Sequence, residues 1–334
     1  MHWPKAELPE LKCMVLSRPS LIMCHRTICL RKKMLQSLAA IFERLLVVCL
    51  LAGGIAIDNA SADEPARTVV EKATTEQPWQ NSLGMKFIPV TGTQVLFDIW
   101  DTRVEDFRAF VDSTSYEVTG DLWSLGKDGW KQRGATWNEP GFKQSATDPV
   151  VGVSWEDAKA FCEWLTKREH DAGTLPEGMH YRLPTDQEWS VAVGLGSEPG
   201  ETPEEKASKV EVYPWGTPWP PPPGSGNYAG MESKIGDEPS NWTVLEGYND
   251  GYARTSPVGS FAANKNGLYD IGGNVWQWCE DWYNSEKIYR VLRGASWDSR
   301  NPIFLRSSSR DYITPDYHGS FVGFRCVLAR ETVP

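Results

Sequence analysis

The stretch that decides the fold is Gly267-Leu-Tyr-Asp-Ile-Gly-Gly-Asn-Val-Trp-Gln-Trp-Cys-Glu-Asp-Trp282. Its sixteen residues hold three tryptophans, three glycines and five Asp, Asn, Gln or Glu side chains. That spacing fits neither an amphipathic helix nor an alternating strand, and it reads as a built site. Glycines let backbone amides and carbonyls approach a ligand closely, while amide and carboxylate oxygens set between indoles can coordinate a hard cation or orient a substrate. The competing reading is a Gly-rich turn with core tryptophans.

Outward from this stretch, composition narrows the choices. With 334 residues, 40% of them hydrophobic, and 16 tryptophans, the chain can fill one large core rich in indoles. A net charge of −10 and no Lys/Arg-rich run in the globular part argue against nucleic acid or an anionic membrane as partner. The basic residues gather at the front instead. Arg31, Lys32 and Lys33 precede an apolar stretch from Leu45 to Ile57, and Ala60-Ser61-Ala62 follows, then Asp63-Glu64. Residues 1–62 therefore read as an export signal cleaved after Ala62, with Met34 as an alternative start and an uncleaved anchor as the competing reading. The apolar stretch is too short for a spanning helix, so no stable membrane span is expected after cleavage, and the mature chain is placed in the periplasm or outside the cell. Cys49 lacks the small residue before it that lipidation needs.

Cleavage leaves Cys162, Cys279 and Cys326. An oxidising compartment favours one long-range bridge, read as Cys162 on a helix with Cys326 on a terminal strand, and leaves Cys279 over. Residues 63–80 read as a polar linker, and residues 81–331 as one continuous domain. Asn81 to Val90 opens with a turn and then alternates as a strand, and Val95 to Trp100 adds another. Val104, Phe107, Phe110 and Val111 mark a helix over Thr102–Asp112. A second helix begins at the cap Ser154, with Ala158, Phe161, Cys162 and Leu165 as its buried stripe. Pro218 to Gly226, with four consecutive prolines, is a loop or polyproline segment.

Several segments in one order carry a family resemblance. They include Pro149-Val-Val-Gly-Val-Ser-Trp, Tyr181-Arg-Leu-Pro-Thr-Asp-Gln-Glu-Trp, Tyr213-Pro-Trp-Gly, Gly226-Asn-Tyr, Asn266-Gly-Leu-Tyr-Asp, Gly273-Asn-Val-Trp-Gln-Trp, Arg293-Gly-Ala-Ser-Trp and Gly323-Phe-Arg-Cys. Together they resemble the formylglycine-generating enzyme family, also called sulfatase-modifying factors. The resemblance implies a C-type-lectin-like α+β fold of low regular secondary-structure content, usually stabilised by calcium. It maps a disulfide onto Cys162 and Cys326, and a second family bridge onto Val193 and Ser307, where neither residue can form it. One implied calcium site comprises Asn227, Tyr228, Asp250 and Tyr252. The other comprises Asp270, Gly273, Val275 and Gln277, with Gln277 standing in for the family's Glu and weakening that site. Oxygen ligands of this kind suit calcium.

The resemblance fails where the family's chemistry resides. Its enzymes hold copper(I) with two cysteines just after the Arg-Gly-Gly-Ser motif, and soft thiolates are the ligands that ion requires. Here residues 296–310 contain no cysteine, and the ligand positions fall at Ser299 and at Pro302 or Phe304. Copper is therefore not expected, and no catalytic residue is assigned. His170, His180 and His318 show no metal-ligand spacing, and a Ser-His-Asp set drawn from Ser307, Ser308 or Ser309 with His318 and Asp311 lacks a nucleophile elbow. The expectation is a calcium-stabilised domain that binds a peptide, protein or glycan through Trp297, Ser299, Arg300, Arg306, Arg310, Tyr312 and His318. The alternative is an oxidoreductase of the formylglycine-generating type, or another oxidase, with a non-standard site.

Overall fold

A computed structural model describes Val70 and residues 72–331. The signal segment over residues 1–62 lies outside the described residues. In chain order the elements are β1 (Trp79–Gln80), β2 (Lys86–Pro89), β3 (Leu96–Asp98), α1 (Val104–Thr114), β4 (Leu122–Gly126), β5 (Gly129–Ala135) and α2 (Trp155–Asp171). They continue with β6 (Met179–Arg182), α3 (Asp186–Val193), α4 (Pro203–Lys206), β7 (Trp276–Trp282), β8 (Arg290–Arg293), β9 (Asp311–Ile313), β10 (Val322–Gly323) and β11 (Val327–Arg330). The fold is α+β with long irregular connections, as the sequence implies.

One sheet has the order β1-β2-β3-β11-β6, so the last strand inserts between early ones and locks the C-terminus into the N-terminal half. A second sheet has the order β10-β7-β8-β9, and β4–β5 is a separate hairpin. The first sheet includes chain that the sequence reading gave to the linker. Trp79 is buried against Phe87 and Tyr181, at 5.5 and 6.2 Å between ring centroids, and this burial draws β1 into the sheet. Asn81 Oδ1 then accepts from the backbone N–H groups of Leu83 and Met85, which forms the turn into β2.

Helix α2 follows the sequence closely. Ser154 Oγ accepts from Asp157 N–H, and the Asp157 carboxylate accepts from Ser154 N–H, closing a capping box. Ala158, Phe161, Cys162 and Leu165 are all buried. Helix α1 starts and ends two residues later than expected, because Asp106 accepts the Arg103 backbone N–H and sets the first turn. The deciding stretch itself divides in two. Residues 267–275 form the loop, but Trp276–Trp282 is a strand. It was unreadable as one because β7 is buried on both faces over Trp276 to Cys279, which erases the alternation that marks a half-exposed strand. Among the described residues no helix is long and apolar enough to cross a membrane.

Candidate ligand and cation sites

The long connections carry the family's site positions, and each must be judged by what its polar atoms already bond. Asn227 is 1% exposed. Its Nδ2 donates to Arg254 O at 2.8 Å and to Asn274 Oδ1 at 3.2 Å, while its Oδ1 is buried with no hydrogen-bond partner. Asp250 is held by two backbone donors, Tyr228 N–H at 2.8 Å and Tyr252 N–H at 2.9 Å. Burial, followed by the neighbouring Glu232, outweighs these donors and pushes the Asp250 carboxyl up to about 7. An orphaned amide oxygen, one residue from the Tyr228 N–H that holds a half-buried carboxylate without a basic partner, is a donor set that suits a hard cation. Asn227 and Asp250 fit calcium.

The second set does not fit in the same way. Gln277 Oε1 accepts from Arg325 Nε at 2.8 Å and from Trp189 Nε1 at 2.9 Å, which uses both of its lone pairs. Its Nε2 donates to Asp270 O at 2.9 Å, and Arg325 Nη2 donates to the carbonyls of Tyr269 and Asp270. A fully buried guanidinium thus takes the Gln277 oxygen, one of the implied ligands. Gln277 is a cross-link between α3, β7 and the segment leading into β11. Asp270 Oδ2 accepts from Gly259 N–H at 2.7 Å, and burial pushes this carboxyl up to about 6.

Around residues 296–310 the structure separates the seven predicted ligand-binding residues. Trp297 is buried against Trp130 and Phe142, at 6.0 and 5.8 Å, and its Nε1 donates to Ser320 O. Ser299 is buried, and its Oγ accepts from Ser296 N–H at 3.1 Å. His318 is buried with Nε2 2.9 Å from Asp157 Oδ2, and its carbonyl accepts from Trp123 N–H, so it ties the β4–β5 hairpin to the α2 cap. Arg310 is buried in a cluster with Asp186, Glu198 and Arg293. These four do not present side chains to a ligand, because each is consumed by internal contacts. The other three reach the surface. Arg300 lies 4.1 Å over the Trp242 ring, Arg306 pairs with exposed Glu211, and Tyr312 on the edge strand β9 stacks on Tyr283 at 4.1 Å.

Residues 296–310 supply no thiol. Ser299 supplies a buried hydroxyl, and the exposed turn that follows presents Pro302, Ile303 and Phe304. The described cysteines lie elsewhere. Cys162 and Cys326 face each other with sulfurs 3.6 Å apart, as free thiols, so the expected bridge is not formed in this structure. Cys279 is buried, and burial pushes its thiol well up. Sequence reasoning missed a cavity of about 720 Å³ between the β4–β5 hairpin and residues 138–144, lined by Ser124, Arg133, Asn138, Glu139, Phe142 and Gln144 among others. Phe142 joins this cavity to the buried Trp297. No motif flags it, since its polar lining comes from a hairpin and a loop with no family signature.

Comparison with known proteins agrees with the motif order. The profile of the sulfatase-modifying factor enzyme 1-like domain matches residues 47–330. The chain is 31% identical over 278 residues to the Bos taurus protein named inactive C-alpha-formylglycine-generating enzyme 2, across 73% of this chain and 80% of that one. It is 31% identical over 218 residues to the formylglycine-generating enzyme of Thermomonospora curvata, across 58% of this chain and 61% of that one. Among solved structures, PvdO from Pseudomonas aeruginosa aligns with a TM-score of 0.48 at 23% identity, covering 70% of this chain and 80% of its own.

Proposed function

The chain belongs to the family of the sulfatase-modifying factor enzyme 1-like domain, and from that premise we propose that it is an exported, calcium-stabilised member that binds a ligand without copper oxidase chemistry. One observation carries this reading. Where the family's enzymes need a pair of thiolates, residues 296–310 offer none, and the chain there is folded into turns in which the Ser299 hydroxyl is buried and bonded. Loss of the thiolates need not remove recognition. The polar cavity beside Phe142, the half-buried Arg300 and Arg306 and the exposed Tyr312 are suited to a peptide, protein or glycan, which combine hydrogen-bonding groups with faces that stack on aromatic rings.

Export to the periplasm or beyond is supported by the basic Arg31–Lys33 run, the apolar stretch and the small residues up to Ala62. In such a compartment Cys162 and Cys326, already in sulfur contact, form the disulfide. Calcium at Asn227 and Asp250, with the Tyr228 and Tyr252 carbonyls as the further oxygens the resemblance implies, would neutralise the half-buried carboxylate. A second reading, oxidation of a substrate cysteine to formylglycine, is favoured by the likeness to the Thermomonospora curvata enzyme. It would require Cys279, the described cysteine outside the facing pair, to leave its buried place in β7. Reconstitution with copper(I) and competition against a chelator test the choice. The mature protein should retain no copper, and stoichiometric uptake would favour the oxidase.

A further inference from the structure

Glu232 lies outside every motif, and its surroundings are unusual. It sits on the short turn Met231–Ser233, which is pinned by Met231 N–H to Tyr248 O at 2.8 Å and by Ser233 Oγ to Gly230 O at 2.8 Å. That turn folds the carboxylate back over Gly230. A methyl group added at Gly230 would stand 2.5 and 2.6 Å from the two Glu232 oxygens and 2.8 Å from Tyr248 O. The carboxylate therefore occupies space that only a glycine leaves open. Both of its oxygens are buried with no hydrogen-bond partner. It also reaches the Asp250 carboxylate, acceptor against acceptor.

The third group is the orphaned Asn227 oxygen, and its orientation is fixed by a chain of backbone contacts. Ser256 N–H donates to Asn274 Oδ1 at 3.0 Å, which settles the orientation of that amide. Asn274 Oδ1 then accepts from Asn227 Nδ2, so Asn227 Oδ1 must face the opposite side of its own amide, where it meets no donor. Asn227 Oδ1 and both Glu232 oxygens thus stand buried without a donor, on segments whose backbones are held by hydrogen bonds. Lys234, two residues from Glu232, pairs with Glu246 instead, at 3.7 Å. Buried polar groups in native proteins find partners, and a set made only of oxygens with two negative charges is completed by a divalent cation.

We propose that Glu232 is a further ligand of the calcium ion held by Asn227 and Asp250, and that its carboxylate sets the affinity of the site. This rests on the calcium reading given above. A site with Asp250 alone would leave one positive charge of the bound ion uncompensated. Glu232 removes that deficit, and more carboxylate ligands mean tighter calcium binding in oxygen cages.

The test is calorimetric titration of the mature chain with calcium after chelator treatment, for the parent, Glu232→Gln and Asp250→Asn. Glu232→Gln should bind at least tenfold more weakly and gain less in melting midpoint from calcium. Without calcium it should melt at or above the parent, because the facing acceptors are relieved. Asp250→Asn should lose binding. If Glu232→Gln titrates like the parent while Asp250→Asn does not bind, the Glu232 assignment is overturned and the calcium site stands. If the parent takes up no calcium at millimolar concentration, both fail.

Discussion

Replacing Arg310 with Met tests whether this arginine faces a ligand or holds the fold. Its Nε and Nη2 donate to the Asp186 carboxylate at 3.0 and 2.9 Å, and its Nη1 and Nη2 donate to the Glu198 carboxylate at 2.7 and 2.8 Å. A further bond reaches Ser308 O. The Arg310, Asp186 and Glu198 side chains are 0%, 3% and 1% exposed. Arg293 is the other cation in the cluster, so removing Arg310 leaves two buried carboxylates with one guanidinium. Breaking one member of a buried ion cluster costs about 3 to 5 kcal/mol, because the remaining charge stays desolvated. For a domain of this size 1 kcal/mol moves the melting midpoint by roughly 2–4 °C, so the loss should be on the order of 6–20 °C. Arg306→Ala is the control, since its partner Glu211 is 76% exposed, and it should cost no more than about 1 kcal/mol. Calorimetric melts of both variants decide the matter. A midpoint for Arg310→Met within about 2 °C of the parent, paired with weakened ligand capture, would refute the structural role and restore Arg310 to the groove.

Other outcomes follow from the same contacts. Burial would raise the carboxyls of Asp186 and Glu198, but Arg293 and Arg310 override it and hold both below the ordinary range. Their stabilisation is therefore fully present above the unfolded-state pKa, near 4, and is lost as pH falls through the folded values. Urea titrations between pH 6 and 3 should show this acid limb in the parent and a flatter one in Arg310→Met. Non-reducing peptide maps of protein isolated from an oxidising compartment should join Cys162 to Cys326. Closing that 164-residue separation adds up to about 5 kcal/mol by loop entropy, and recovery of Cys279 in a bridge would overturn the pairing. Calcium at a hundred times its dissociation constant should add about 2.7 kcal/mol. An unchanged melting midpoint after chelation would contradict the cation site.

The parts of this fold that were legible in the sequence are those fixed by local chemistry. Ser154 and Asp157 cap α2 with atoms three residues apart, and the stripe from Ala158 to Leu165 shows helical spacing, so both the start and the buried face could be read. β7 could not, because two-sided burial gives no period. The same limit governs the site. The family resemblance places Trp297, Arg310 and His318 about the implied substrate position, but their inward direction depends on distant partners: Phe142 and Trp130 for the indole, Asp186 and Glu198 for the guanidinium, Asp157 for the imidazole. Gln277 was readable as an oxygen ligand by position, yet Arg325 and Trp189, 48 and 88 residues away, fill its lone pairs. Glu232 carries no signature at all, and only its burial without donors singles it out.

The central claim is that this member of the family has lost the copper reaction at residues 296–310. The direct measurement is mass spectrometry of a sulfatase-type peptide containing the substrate cysteine, after aerobic incubation with the mature chain and copper(I). The account predicts that the cysteine mass is unchanged relative to the enzyme-free control. Formylglycine above that control would contradict it.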